Sequence, residues 1–484
     1  MDHQKTSADS AAMNDKAVFA HLFKVSEEYY SRQREGQFLD YHSPAELRTI
    51  LGLEQPGKTG DWEEIFGWVE KYLTYSVKTS HPMFVNRMWV GANLPSIVGE
   101  IITALTNASA CTFESAPVST LMEKFMIREM LDLVGFTGGE GQMTTGSSNA
   151  NMIAMMAARN SANPSIKQAG LFGQQKLFAF VGADAHYSMD RAANILGIGG
   201  DQLIKVPLDP LGAMLPGELE RAIIRVVESG GLPFFVAATA GTTVRGGYDS
   251  LEALLPLRDT YGFWLHVDGA WGGSAVLSPR LRRQYLPGLA QADSFSWDFH
   301  KMLGATLMCN ILLVNRGTQA LATALSAGDG SYLFRNENIA EMEDLGPASL
   351  QCGRRVDSLK WFLDWKFFGR EGLAARVEKS LDLCAYAEEV VNRSPELELV
   401  VPRTSFNICF RFKVAEEESN AFNIALRNTL YEEGVTLVGV AYIDGKLVMR
   451  LLVINPAAEP ADIDNFFRHL IAKGRELQKS TFGR

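Results

Sequence analysis

The sequence predicts an α/β fold: a large domain on a mostly parallel sheet, an N-terminal helical arm and a small C-terminal α+β domain. Three observations predict it. Between residues 138 and 314 short β-like runs alternate with helical stretches, and strands separated by helices of that length pair in parallel with helices on both faces. Ahead of about residue 110 the apolar residues recur at helical spacing. Beyond about residue 370 a last piece mixes helix with strands near 397–401, 408–414 and 446–454.

In chain order, residues 1–15 read as disordered and 18–51 as an amphipathic helical arm. Trp62–Tyr75 (WEEIFGWVEKYLTY) repeats the helical pattern, and Leu94–Thr106 is a further helix. The sheet is expected from LFAFVGA at 177, LIKVPL at 203, FFVAATA at 234, FWLHVDGAW at 263 and NILLVN at 310. SNANMIAMMAARN and LPGELERAIIRVVESGG supply helices between them, and residues 356–368 form another. The expected division is 1–110, 111–370 and 371–484, with no internal repeat.

Composition narrows the function. With 46 Lys+Arg against 56 Asp+Glu, a net charge of −10 and no long basic run, the chain is a poor partner for nucleic acid or an anionic membrane. No stretch of about 18 apolar residues offers a bilayer-spanning helix. The polar start MDHQKTSADSAAMNDK lacks the apolar segment of a secretory signal. The 5 cysteines are odd in number, widely spaced and free of CxxC pairs, which suits a reducing cytoplasm and argues against a metal site. Small-molecule chemistry in the cytoplasm is the expectation.

Three segments carry candidate chemistry. Thr144-Thr145-Gly146-Ser147-Ser148-Asn149 leads into a helix with Met152, Met155 and Met156 on one face. Free N–H groups and hydroxyls at a helix start suit a phosphate, although an ordinary Ser/Asn cap has the same look. The run from Phe263 to Gly273 ends an apolar strand in Asp268, followed by small residues that let a flat ligand approach. A carboxylate at a strand's carboxyl end can bind a protonated ring nitrogen, or simply cap a turn. In the uncharged aromatic setting of Trp297-Asp298-Phe299-His300-Lys301, a desolvated lysine becomes an amine nucleophile, whereas a solvated lysine would only be a surface cation. Their order, with His186 of Asp184-Ala185-His186-Tyr187-Ser188 between, comprises a phosphate anchor, ring-stacking group, pyridinium partner and Schiff-base lysine. Those are the parts of a pyridoxal 5′-phosphate (PLP) site.

From about His81 to Leu477, through HPMFVN, APVSTLMEK, AGTTVRGGYD, HVDGAWGG, DSFSWDFHKMLG, SYLF, QCGRRVDSLKWFLDWKFFG and MRLLVINPAAEPADID, the chain resembles the group II PLP-dependent amino-acid decarboxylases. Within them it resembles the glutamate, cysteine-sulfinate and aspartate decarboxylase branch. The resemblance implies PLP fold type I with a seven-stranded sheet and a homodimer with interfacial sites. It also implies that Lys301 holds PLP as an aldimine, Asp268 pairs with the ring nitrogen, and His186 and Ala270 cover the two ring faces. Ser147, Ser148 and His300 would hold the phosphate, and Thr243 would lie near the phenolic oxygen. Arg450, in the apolar run 447–454, would grip the substrate carboxylate, a task that suits its planar fork. On the residues alone, Arg450 reads rather as one partner of a structural salt bridge.

The chain departs from that family at four places. Asn86-Arg87 stands where acidic-substrate relatives commonly read Asn-Gln, adding a cation near the expected substrate end that favours aspartate or cysteine sulfinate, unless Arg87 simply faces solvent. Asp298-Phe299 replaces a more usual Asn-Pro, and Arg245 stands where Tyr is common. Residues 335–349 (RNENIAEMEDLGPAS) read as a lid but lack the Tyr associated with clean decarboxylation. The expected reaction is decarboxylation of a small acidic L-amino acid to an amine and CO2. Alternatives are a non-acidic substrate, a decarboxylating aldehyde synthase, and a catalytically silent regulatory homologue.

Overall fold

The computed structural model describes residues 13–480 apart from 55–56, 58–59, 327, 329, 331 and 335–342. Most of the expected N-terminal disordered stretch and the first half of the expected lid lie outside the described residues.

Seven strands form the large sheet: β1 (Glu140–Thr144), β2 (Leu177–Gly182), β3 (Leu203–Val206), β4 (Leu232–Thr239), β5 (Trp264–Asp268), β6 (Ser294–Asp298) and β7 (Asn310–Val314). Their order is β1-β7-β6-β5-β4-β2-β3, with β7 alone antiparallel to its neighbours. Almost every residue of β4, β5, β6 and β7 is buried, as continuous apolar strands covered on both faces must be.

The helices, in chain order, are α1 (Asp15–Ser31), α2 (Pro44–Leu51), α3 (Trp62–Tyr75), α4 (Leu94–Thr106), α5 (Pro117–Val134), α6 (Ser147–Ala162), α7 (Ile166–Ala169), α8 (Ser188–Ile195), α9 (Pro216–Glu228), α10 (Leu251–Tyr261), α11 (Pro279–Tyr285), α12 (Ala320–Leu325), α13 (Ser358–Arg393), α14 (Glu416–Glu432) and α15 (Pro460–Ser480). Helix α9 shows how they attach: Leu219, Ala222, Ile223 and Val226 form one buried stripe over the sheet. A second, antiparallel sheet of β8 (Leu397–Leu399), β9 (Ile408–Phe412), β10 (Gly439–Ile443) and β11 (Lys446–Leu451) runs in the order β10-β11-β9-β8. Phe410, Phe422, Phe466 and Phe467 fill the core between it and helices α14 and α15.

Local chemistry explains where the elements depart from expectation. The arm is two helices, because Ser43 and Glu46 form a capping box with Pro44 in the first turn and start α2 afresh. The helix expected over 356–368 continues to Arg393 as α13 and is interrupted at Gly369, whose φ of 64° suits glycine. Strands β1, β6 and β10 were not among the expected runs; in β6, Ser294 and Ser296 are wholly buried and hydrogen-bonded. The arm and the segment after it do not stand apart. Phe38 is buried in the large-domain core, while Met83 and Val85 pack into that of the second sheet.

One buried ion pair fastens the sheet edge. Glu123 of α5 lies 2.8 Å from Arg354 Nη1 and accepts the Met143 N–H of β1 at 3.0 Å. Arg354 in turn donates to the carbonyls of Met143 and Ala110. Removing one member of a buried pair strands the other's charge, so Arg354→Met is expected to cost about 3–5 kcal/mol. Urea unfolding of the cofactor-free protein measures it, and an unchanged midpoint would contradict the prediction.

Candidate active site

The carboxyl ends of the central strands and the start of α6 converge on a cavity of about 260 Å³. That is where an open α/β sheet places its ligand. Gly146 turns the chain from β1 into α6 with φ 112°, a backbone conformation that favours glycine. Ser147 and Ser148 follow at the cavity wall, with Ser148 exposed and the Ser147 hydroxyl accepting from Asn310 Nδ2 at 2.9 Å.

Asp268 ends β5, 5% exposed, and its carboxylate has neutral donors on both oxygens. Ala270 N–H donates to Oδ1 at 3.0 Å and Asn151 Nδ2 donates to Oδ2 at 2.8 Å. Because a carboxylate only accepts, Asn151 must turn its own oxygen the other way. That oxygen takes the Nε2–H of His266 at 2.9 Å and the Ser296 hydroxyl at 3.0 Å. His266 Nδ1 then accepts from Ser294, whose oxygen takes the indole N–H of Trp264. Burial pushes the His266 pKa down to about 4, outweighing the opposite pull of Asp268, so the ring is neutral and the chain from Trp264 to Asp268 carries no other charge.

His186, half-buried ahead of α8, accepts the Ser188 N–H on Nδ1 at 3.3 Å, which leaves the ring proton on Nε2. Burial holds its pKa below the ordinary histidine value, with Asp268 and Asp298 pulling upward and Lys301 and Arg191 downward. Ala270 and Thr243 also line the cavity.

Lys301 differs from the solitary desolvated amine expected. Its Nζ lies 2.9 Å from Asp298 Oδ2, so the cofactor-free site holds it in an ion pair. His300 Nδ1 lies 2.8 Å from the Cys309 carbonyl, to which it donates, and Nε2 faces Asp298 at 3.8 Å. Burial lowers the His300 pKa despite Asp298.

Arg450 lies behind this wall. Its Nη1 donates to the Thr243 carbonyl at 2.6 Å and its Nη2 to the Asn86 carbonyl at 2.8 Å, while Nε is buried without a partner. No carboxylate pairs with it among the described residues, so the salt-bridge alternative finds no partner there. Burial and the nearby cation of Arg87 both lower its pKa. Arg87 itself is exposed, and the Asn86 side-chain oxygen is buried and unpartnered. Arg245 pairs with Asp184 at 3.0 Å and Asp444 at 3.4 Å, tying the β10–β11 turn to the His186 loop.

Sequence reading missed Asn151, His266, Ser294, Asp298 and Asn310 as site residues. A signal existed for one: Asn151 lies four residues after Ser147, one helical turn on, and therefore shares its face.

Comparison with known proteins decides what this cavity belongs to. Residues 44–413 match the pyridoxal-dependent decarboxylase conserved domain. The chain belongs to that family. It is 36% identical over 451 residues to mouse cysteine sulfinic acid decarboxylase, covering 90% of this chain and 91% of the relative. Identity to human acidic amino acid decarboxylase GADL1 is 34%, covering 90% and 86%. The crystal structure of mouse CSAD superposes with a TM-score of 0.91 at 33% identity, covering 95% of this chain and 98% of that one. The decarboxylase is therefore a PLP enzyme of fold type I in the acidic amino-acid branch. Its cavity fits that cofactor: a buried carboxylate for a ring nitrogen, a lysine amine and a helix start for a phosphate share one wall.

Two predictions follow from the Asp268 chain. Asn151→Ala removes a hydrogen bond to a charged group worth about 1.5–3 kcal/mol and should weaken PLP binding about 10- to 100-fold, read by titrating the apoenzyme. Because the folded pKa of His266, about 4, lies below its unfolded value, the unfolded chain binds the extra proton between those values. Stability should therefore fall as pH drops from about 6.5 toward 4, by up to about 1.4 kcal/mol per pH unit. His266→Gln should flatten that limb of the unfolding profile, and an equally steep limb in the variant would count against the assignment.

Proposed function

We propose that this decarboxylase removes the α-carboxylate of a small acidic L-amino acid, namely aspartate, cysteine sulfinate or glutamate, giving the amine and CO2. The observation that carries the reading is the Arg450 guanidinium, locked on two backbone carbonyls beside the cavity wall with no carboxylate paired to it among the described residues. A half-buried cation of this kind is stabilised by an anion brought to it, and exposed Arg87 adds positive potential at the same end. The curated relatives that act on cysteine sulfinic acid and acidic amino acids support the same substrate class.

In this reading Lys301 holds PLP covalently, Asp268 faces the ring nitrogen, His186 and Ala270 cover the ring, and Thr243 lies by the phenolic oxygen. Ser147, Ser148 and His300 hold the phosphate. Bound PLP supplies the electron sink that lets the Cα–carboxylate bond break. Asp268 keeps the ring nitrogen protonated because its own charge is supported only by neutral donors. Asn86 and Arg87 form the substrate end with Arg450. The proton that a loop tyrosine would otherwise give the reacting carbon would come from the imidazolium form of His186 or from water.

The reading extends to a cytoplasmic homodimer divided at about residues 110 and 370. The apolar faces of α1, α3 and α4, with Phe19, Phe23, Trp62, Ile65, Val98 and Leu105 exposed, support a partner subunit against the arm. The free thiols of all five cysteines support a reducing compartment.

The PLP-loaded enzyme should release amine and CO2 in equal amounts from one of the three acidic substrates. Aldehyde and ammonia in place of amine, or turnover of aromatic amino acids alone, would overturn the proposal. Arg450→Met should raise KM for that substrate at least about tenfold, and Arg87→Gln should raise it less, since an exposed ion pair is worth about 0–1 kcal/mol.

A further inference from the structure

Asp298 occupies an unusual position for an anion. It is 2% exposed, and its two oxygens reach into the groups that the proposed cofactor needs. Oδ1 accepts the backbone N–H of Ser147, the helix-start donor of the phosphate cradle, at 3.2 Å. Oδ2 sits 2.9 Å from Lys301 Nζ and 3.8 Å from His300 Nε2. The carboxylate thus stands on the phosphate's own donors, and its charge has the same sign.

The side chain has no way out. Asn310 Nδ2 on β7 donates to Oδ1 at 2.6 Å, and Asn310 is itself anchored to the Trp297 carbonyl and the Ser147 hydroxyl. The groups facing Asp298 from the elements around it are Lys301 and His300 on its own loop, Ser147 on α6, Asn310 and the buried Cys309 thiol at β7, and His186 ahead of α8. Lys360 of α13 acts on the same cluster through His300 and Cys309. Burial pushes the Asp298 carboxyl up, but Lys301 and His300 together with the hydrogen bonds from Lys301 and Asn310 win and hold it below the usual range. In the cofactor-free enzyme it is charged.

A phosphate brought onto the same donors meets a carboxylate that can neither turn away nor reach water. Like charges forced into one buried site are relieved by a proton, as two carboxylates sharing a site show. We propose that Asp298 fills the phosphate seat of the empty enzyme, and that PLP loading takes up one proton, held between Asp298 and the phosphate. Cofactor loading is then pH-gated by a residue of the seat itself. The inference rests on the reading above that Ser147, Ser148 and His300 hold the phosphate.

Calorimetric titration of the apoenzyme with PLP, in Tris and in HEPES between pH 6.5 and 8.5, counts protons and gives affinities together. Wild type should take up about one more proton per PLP than D298N, whose amide donates to phosphate without protonation. The ratio of D298N to wild-type affinity should rise about tenfold per pH unit, the slope of a single linked proton. Pyridoxal, which lacks the phosphate, should show no such excess uptake in wild type, and that comparison stands without any variant if D298N fails the circular-dichroism check of its fold. Equal proton counts for PLP and pyridoxal, with S148A still weakening PLP, would sink the inference and leave the phosphate reading intact. If S148A and D298N both bind PLP as wild type does, the phosphate sits elsewhere and the site reading falls as well.

Discussion

The carboxamide of Asn151 is the contact on which the cavity is built. Its nitrogen serves Asp268 of β5 and Ser188 at the start of α8, and its oxygen serves His266 of β5 and Ser296 of β6. One buried side chain thereby sets α6 against two strands and a second helix. Since α6 also presents Ser147 and Ser148, the same contact sets the distance between helix start and strand end. Every polar atom of that amide is used, which is the condition under which a buried polar network rigidifies a site.

Two buried carboxylates line the cavity in opposite electrostatic settings. Asp268 is surrounded by neutral donors, so its charge is available to a cation placed in the cavity. Asp298 is already paired with Lys301 and lies on the start of α6. The sheet produces the separation: β5 and β6 are adjacent parallel strands, and each ends in an aspartate at the same edge. What surrounds each carboxylate, rather than its residue type, divides their tasks.

Three distant stretches of chain meet at Arg450. Arg450 on β11 of the second sheet clamps the carbonyls of Thr243 and Asn86, and Arg245 joins the His186 loop to the turn after β10. These arginines connect the second sheet to the segment after β4 and to the loop ahead of α8, so motion of that sheet would be felt at Thr243 and ahead of His186. The residues just after 342 are fastened as well, because Leu345 and Gly346 donate to the Cys111 carbonyl.

The sequence by itself determined the continuous apolar strands, the helix spans of α3 and α4, and the motif positions of Lys301, Asp268 and His186. Those signals are local: burial on both faces makes a strand uniformly apolar, and a glycine-rich turn after a carboxylate is visible within a few residues. Strand β6 escaped because its alternating serines give no continuous apolar run, and only their partners on β5 and α6 make them interior. Asn151 and Asn310 escaped for the same reason, each gaining its meaning from residues more than a hundred positions away. Only the tertiary structure decided that Lys301 is paired, that Arg450 rests on carbonyls, and that Asp298 lies on the start of α6. Hydrogen bonds and ion pairs depend on distances of a few ångströms, and sequence spacing leaves those distances undetermined until the chain is packed.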